Sequence, residues 1–181
     1  ISIIFFLNTC YATSIGSNTG LELPRFVSFK SNDSNLRVGP SKNYPILIKY
    51  IVKDFPLKII EEHDDWRRVV DFKNNEGWVH KSLIKSERFG IIISKNSVDA
   101  FNTIGGKKIG EFGSNQIINL YKCKSNWCLV TKNGNKGWIS KKYIWGIKNN
   151  EILNIGILQI LNDYYFKLIN FTEEYISWLG R

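Results

Sequence analysis

Four groups of residues have the types that chemistry uses. His63 and His80 are the imidazoles, Cys123 and Cys128 flank Lys124-Ser125-Asn126-Trp127, and Glu61, Glu62, Asp64 and Asp65 crowd one short stretch. The fourth group, Arg37, Tyr44, Trp66, Trp78 and Trp127, combines a cation with aromatic faces. A cysteine peptidase needs a thiolate beside an imidazole, but both His precede these two cysteines by a wide margin. The Cys and His fall in no zinc-ligand spacing, so no metal is expected. Glycoside hydrolysis needs two carboxyl groups facing each other across a cleft, whereas a run of acids at a tight turn reads as a solvated turn. Neither a Gly-rich phosphate loop nor a serine-nucleophile elbow is present. His80, at a strand end after Trp78-Val79, reads as a surface residue rather than a base. The expectation is therefore a non-enzyme without catalytic residues or cofactor. The fourth group fits binding: aromatic faces stack on sugar rings or apolar peptide, and Arg37 can pair with a carboxylate. Arg37 can equally hold its own loop through backbone carbonyls.

The elements that must position these residues come twice. Trp66, followed by Glu76-Gly77-Trp78-Val79-His80, is matched by Trp127, followed by Lys136-Gly137-Trp138-Ile139-Ser140. Each copy follows an aliphatic run, Leu57-Lys58-Ile59-Ile60 or Ile117-Ile118-Asn119-Leu120. An internal repeat fixes the unit of folding before any single motif does. Short alternating runs punctuated by Asp64-Asp65, Lys73-Asn74-Asn75 and Asn133-Gly134 predict antiparallel strands, the last as a two-residue hairpin turn. The fold expected is mainly β: two tandem small β-barrels, residues 25–86 and 90–146, and then a C-terminal segment, 147–181. In that segment Leu153, Ile157, Ile160, Leu161, Tyr164 and Leu168 recur at helical spacing, which predicts an amphipathic helix. Its polar face lacks the Lys and Arg of a membrane-surface helix, so membrane contact is not favoured over packing on a barrel. Trp78 and Trp138, inside strands, are expected to lean toward the core, and Trp66 and Trp127, beside turns, toward partial exposure.

Residues 1–12 read as the tail of a secretory signal peptide, with Ile1–Leu7 as its apolar part and small residues before a cut after Ala12; a buried strand is the alternative. Residues 13–24 are small and polar, a linker by composition. The formal net charge of +9 is uneven. Residues 26–85 hold eleven basic and eight acidic residues, and residues 91–146 hold nine Lys against two acids. Such a field favours anionic partners, although an AT-rich coding sequence would also enrich Lys. Two isolated cysteines on either side of a hairpin turn in an exported chain predict a Cys123–Cys128 disulfide. Export, to the periplasm or beyond, removes nucleic acid from the expected partners.

Asn35-Leu36-Arg37-Val38-Gly39-Pro40, Tyr44-Pro45, Trp66 and Gly77-Trp78-Val79 together resemble the bacterial SH3-like domain, in the paired form found in exported proteins of Gram-negative bacteria. The second copy keeps Trp127 and Gly137-Trp138-Ile139, with Val98-Asp99-Ala100-Phe101 where the Arg-x-Gly-Pro turn would stand. The resemblance spans residues 26–145. It implies SH3-like barrels and recognition of peptidoglycan or its stem peptides through an aromatic groove formed by Arg37, Tyr44, Trp66 and Trp78, with Trp127 in the second copy. The alternative is a scaffold subunit of the envelope that docks a protein through the basic second barrel and the C-terminal helix.

Overall fold

Two strands of eight residues, Pro56–His63 and Ile117–Lys124, show how local sequence shapes the sheets. In each, apolar side chains alternate inward until a bulge adds one residue, between Ile59 and Glu61 in the first and between Leu120 and Lys122 in the second. Past the bulge the phase shifts, and Glu62 and Cys123 turn inward. The computed structural model describes residues 14–153, which divide between Ile91 and Ile92 into two units.

The first unit contains β1 (Ser14–Ile15), β2 (Glu22–Leu23), β3 (Arg25–Phe29), β4 (Ser34–Arg37), β5 (Ile46–Tyr50), β6 (Pro56–His63), β7 (Trp66–Val70), β8 (Glu76–His80) and β9 (Ile84–Lys85), with a 3-10 turn at Lys81–Leu83. The second sheet is built from β10 (Phe89–Ile92), β11 (Val98–Phe101), β12 (Lys108–Phe112), β13 (Ile117–Lys124), β14 (Trp127–Lys132), β15 (Asn135–Ser140) and β16 (Ile144–Trp145), with a 3-10 turn at Lys141–Tyr143. The sheet orders are β5-β4-β8-β7-β6-β3-β9 and β12-β11-β15-β14-β13-β10-β16. Strand for strand the two are the same, so the repeat in the sequence is a repeat of topology.

Leu36, Leu57, Ile59, Val69 and Val79 form the first core, and Ile92, Ile118, Leu120, Val130 and Ile139 the second. The first core extends into an aromatic cluster: the Tyr50 ring centroid lies 5.0 Å from Phe29 and 5.2 Å from Phe55. The Tyr50 hydroxyl donates to Asp71 Oδ2 at 2.8 Å, and burial followed by this bond pushes its pKa up. Asp71 is itself buried and closes its turn, accepting the Lys73 and Asn75 backbone N–H groups on Oδ1, each at 2.8 Å. Between β14 and β15, Asn133 and Gly134 both take positive φ, as the predicted two-residue turn requires.

Three expectations change. The sheets are not closed barrels: their end strands, β5 and β9 or β12 and β16, do not pair with each other. The last strand of each sheet follows its 3-10 turn with only two residues, enough to pair with one neighbour. Residues 14–23, expected as a linker, instead form the antiparallel pair β1–β2. The described start of the expected C-terminal helix, residues 147–153, is turn and irregular backbone; Leu153 forms an antiparallel bridge with Cys123. The rest of that helix and the signal-like segment 1–12 lie outside the described residues.

Candidate functional site

Register places three of the predicted residues, Arg37, Trp66 and Trp78, on one side of the first sheet. Arg37 faces Trp78 across β4–β8, and Trp78 faces Arg68 across β8–β7. In the adjacent row His80 faces Trp66. Cross-strand partners share a face, and Arg67, Val69, Gly77 and Val79 take the inward positions. The row of Arg37, Trp78 and Arg68 and the adjacent row of Trp66 and His80 therefore lie on the outer face, half-buried. Trp78 does not enter the core, and neither does Trp138, which holds the matching outward position on β15. Parity decides both: Gly77 and Val79 are the inward pair. Gly77 is needed inside because a Cβ there would lie 2.7 Å from the Arg37 carbonyl oxygen and 2.8 Å from Leu36 Cγ.

At one edge of this face lies a groove of about 310 Å³, lined by Asn35, Arg37, Lys42, Trp66 and His80, with Ser82 and Leu83. Arg37 Nη1 donates to the Tyr44 carbonyl at 2.7 Å, so the guanidinium fixes the β4–β5 loop. A guanidinium carries five N–H donors, which leaves donors for a ligand. Asn35 Oδ1 is buried and has no hydrogen-bond partner among the described residues. The Trp66 and His80 rings meet edge to face, centroids 5.3 Å apart. His80 Nδ1 accepts the Ser82 backbone N–H at 3.3 Å and lies 2.7 Å from Ser82 Oγ, capping the 3-10 turn. Its Nε2 is 3.9 Å from Asp65 Oδ2. Asp65 is held below the usual carboxylate range by its hydrogen bond from Lys81, 2.7 Å away. This imidazole is a capped wall of the groove.

Of the predicted set, then, Arg37 and Trp66 line the groove. Trp78 lies in the neighbouring row, its ring 6.2 Å from that of His63. Tyr44 contributes its backbone carbonyl; its ring covers Gly39, where a Cβ would sit 2.7 Å from ring carbons. Trp127 belongs to the second unit. There a groove of about 480 Å³ is lined by Asp99, Phe101, Trp127, Ser140, Lys142 and Tyr143 among others. Phe101 takes the place of Arg37 by its register with Trp138, and its ring meets Trp127 edge-on at 5.8 Å. The two grooves are the same place in the fold with different chemistry.

The acidic stretch expected to be a solvated turn is only partly so. Asp64 and Glu61 are exposed, but the Glu62 carboxylate has no exposed side-chain surface. It accepts from Thr19 Oγ1 at 2.7 Å, the Thr19 and Asn18 backbone N–H groups at 2.9 and 3.1 Å, and Arg25 Nη2 at 3.0 Å. Arg67 Nε lies 3.4 Å away, and its Nη1 donates to the Asp64 and Trp66 carbonyls. Burial alone would raise the Glu62 pKa, but the bonds from Thr19, Arg25 and the backbone outweigh it and hold it at about 2. This is a structural cluster away from the groove. One signal in the sequence points to it: the offset that carries Trp66 onto Trp127 also carries Glu62 and Arg67 onto Cys123 and Cys128. His80, Asn35 and Lys42 were not in the predicted set; the parity of β8 would have placed His80 beside Trp66.

Cys123 and Cys128 are joined by a disulfide, as predicted, and are paired across the β13–β14 hairpin. Among the described residues, no three His, Cys, Asp or Glu side chains gather as a metal-holding group.

Residues 30–86 match a family model described as a bacterial SH3 domain, and residues 101–144 match a second model with the same description. Among solved structures the chain is similar to NlpC2 from Trichomonas vaginalis, at 10% identity over 67% of this chain and 48% of that one, with a TM-score of 0.30. It is similar to NlpC1 from the same organism at 9% identity over 72% and 48%, TM-score 0.29. A third is an NlpC/P60 family protein from Bacillus cereus, at 13% identity over 66% and 55%, TM-score 0.29. The chain spans about half the length of these solved chains. No curated protein matches it.

Proposed function

The chain carries two bacterial SH3 domains in tandem, and on that premise we propose that it is a non-catalytic recognition module of the cell envelope whose first groove holds peptidoglycan through a stem peptide. The observation that carries this reading is the groove's unmatched polarity. Arg37 keeps donors after bonding Tyr44, beside the half-buried Trp66 in the same groove. Stem peptides offer amide N–H groups, carboxylates and small apolar side chains. A carboxylate pairs with the Arg37 fork, and an apolar side chain packs on the Trp66 face. His80 and Lys42 complete the walls.

The disulfide supports export, since such bonds persist in oxidising compartments. In this reading the His80 ring, held through Nδ1 at Ser82, serves as a wall of the groove beside Trp66. A periplasmic or otherwise exported location and the absence of catalysis belong to this proposal.

The test is retention of the full chain on purified peptidoglycan. Wild type should be retained, and Trp66→Ala and Arg37→Ala should each weaken retention about tenfold, the loss of a charge-assisted bond or an aromatic contact of 1–2 kcal/mol. Retention unchanged in both variants would sink the groove assignment. No retention of wild type would move the search to an envelope protein as the partner.

A further inference from the structure

Across the outer faces of the two hairpins, the acids of the first unit give way to lysines in the second and its arginine gives way to leucine. In the first unit Arg68 bonds Glu61 at 2.9 Å and also binds Glu76, so three charges close on one another. In the second unit the same register positions hold Lys122, Leu129 and Lys136. His63, beside Trp78, becomes Lys124, whose Nζ lies 5.5 Å from the Trp138 ring centroid. Lys136 Nζ lies 3.9 Å from the centroid of Tyr121. None of Lys122, Lys124 and Lys136 has a carboxylate partner among the described residues. Asp99 on β11 and Glu111 on β12 are met by Lys108, at 2.6 Å and 3.8 Å, and Glu151 accepts the Lys148 backbone N–H. On β13–β15 the rows read Lys124, Trp127, Ser140 and Lys122, Leu129, Trp138, with Phe101 continuing the second. Lysines on β13 and β15 therefore stand on one face with Trp127 and Trp138, and a cationic surface without carboxylate partners draws polyanions.

We propose that this face of the second unit binds an acidic polysaccharide. Sugar rings stack on Trp127 and Trp138, and carboxylate or phosphate groups along the polymer meet Lys122, Lys124 and Lys136. Ammonium groups on flexible stems suit such a chain, because a point charge does not demand one bidentate geometry. The disulfide bridging this same hairpin favours a glycan over nucleic acid, since it belongs to an oxidising compartment. The site is independent of the first groove.

The probe is polygalacturonate, with neutral dextran and single-stranded oligothymidylate beside it, titrated into the full chain. The expected result is binding to polygalacturonate and not dextran, weakening about tenfold between low and high salt as screening predicts. Lys122→Glu with Lys124→Glu and Lys136→Glu should remove it, and Trp138→Ala should weaken it several-fold with the charge intact. Trp66→Ala should leave it unchanged, which separates this site from the peptidoglycan reading. Equal or tighter binding of the oligonucleotide, or full binding by Trp138→Ala, would overturn the proposal; so would undiminished binding by the Lys variant. Amide spectra of each variant establish that the second unit remains folded.

Discussion

At one place in each unit the same structural problem has two solutions. Past the bulge, an inward position on the long strand faces an inward position on the next strand. The first unit puts Glu62 and Arg67 there, and the second puts Cys123 and Cys128. The ion pair is expensive to bury and succeeds only because six further groups bond to it: Thr19 twice, Asn18, Arg25, and the Asp64 and Trp66 carbonyls. The disulfide needs no polar satisfaction, and its outer neighbour is the Leu153 bridge, with both backbone bonds made at 2.9 and 3.0 Å. Repeated topology does not mean repeated energetics. One unit is held here by polar complementarity with a preceding segment, the other by a covalent bond.

The sharpest way to break that comparison is Glu62→Ala. It strands Arg67 and Arg25, and loss of one partner of a buried pair costs about 3–5 kcal/mol. Denaturant unfolding of the full chain, followed by amide resonances of each unit, should show the loss in the first unit alone. Equal loss in both would mean the two do not differ as argued. Acid should act next. The folded pKa of Glu62, about 2, lies below the ordinary 4.5, so its stabilisation is complete above about pH 4.5 and is lost as pH falls toward 2. The integrated effect is about 3 kcal/mol, again in the first unit, because disulfide cysteines do not titrate. Replacing Cys123 and Cys128 together by Ser should cost the second unit about 2 kcal/mol, a short ring's worth of chain entropy. The smallest effect comes from the paired glycines. A Cβ at Gly77 meets backbone oxygen at 2.7 Å, whereas one at Gly137 meets the Ala100 Cβ at 2.9 Å and nothing else inside 3.6 Å. Gly77→Ala should therefore cost about 1 kcal/mol more than Gly137→Ala in the same unfolding experiment.

Much of this was legible in the sequence. The Trp…Gly-Trp repeat specified two units of like topology, and Asn133-Gly134 specified its turn. Cys123 and Cys128 specified their bond. What escaped reading depended on phase. Counting Trp78 and Trp138 as strand-interior favoured burial, but Gly77 and Gly137 sit inward beside them, and strict alternation sends the indoles outward. Glu62 reads as solvated until the bulge shifts it by one residue, and a bulge has no signature in either long strand's composition. Arg37 and Trp66 were placed in one groove by motif order, whereas the unpartnered Asn35 oxygen emerges only from three-dimensional accounting. Residues 14–23 looked like a linker because their role lies in backbone N–H groups, which composition does not display.

Those backbone groups tie the first unit to a segment outside its stretch of family likeness. Its stretch of family likeness begins at residue 30, yet Asn18, Thr19 and Arg25, on which Glu62 depends, all come earlier in the chain. A copy transplanted from residue 30 onward would keep Arg67 beside the Glu62 carboxylate but lose Asn18, Thr19 and Arg25. The cysteine hairpin carries both halves of its fastening within six residues and loses neither when moved. One fastening lies wholly inside its hairpin, and the other depends on what precedes it.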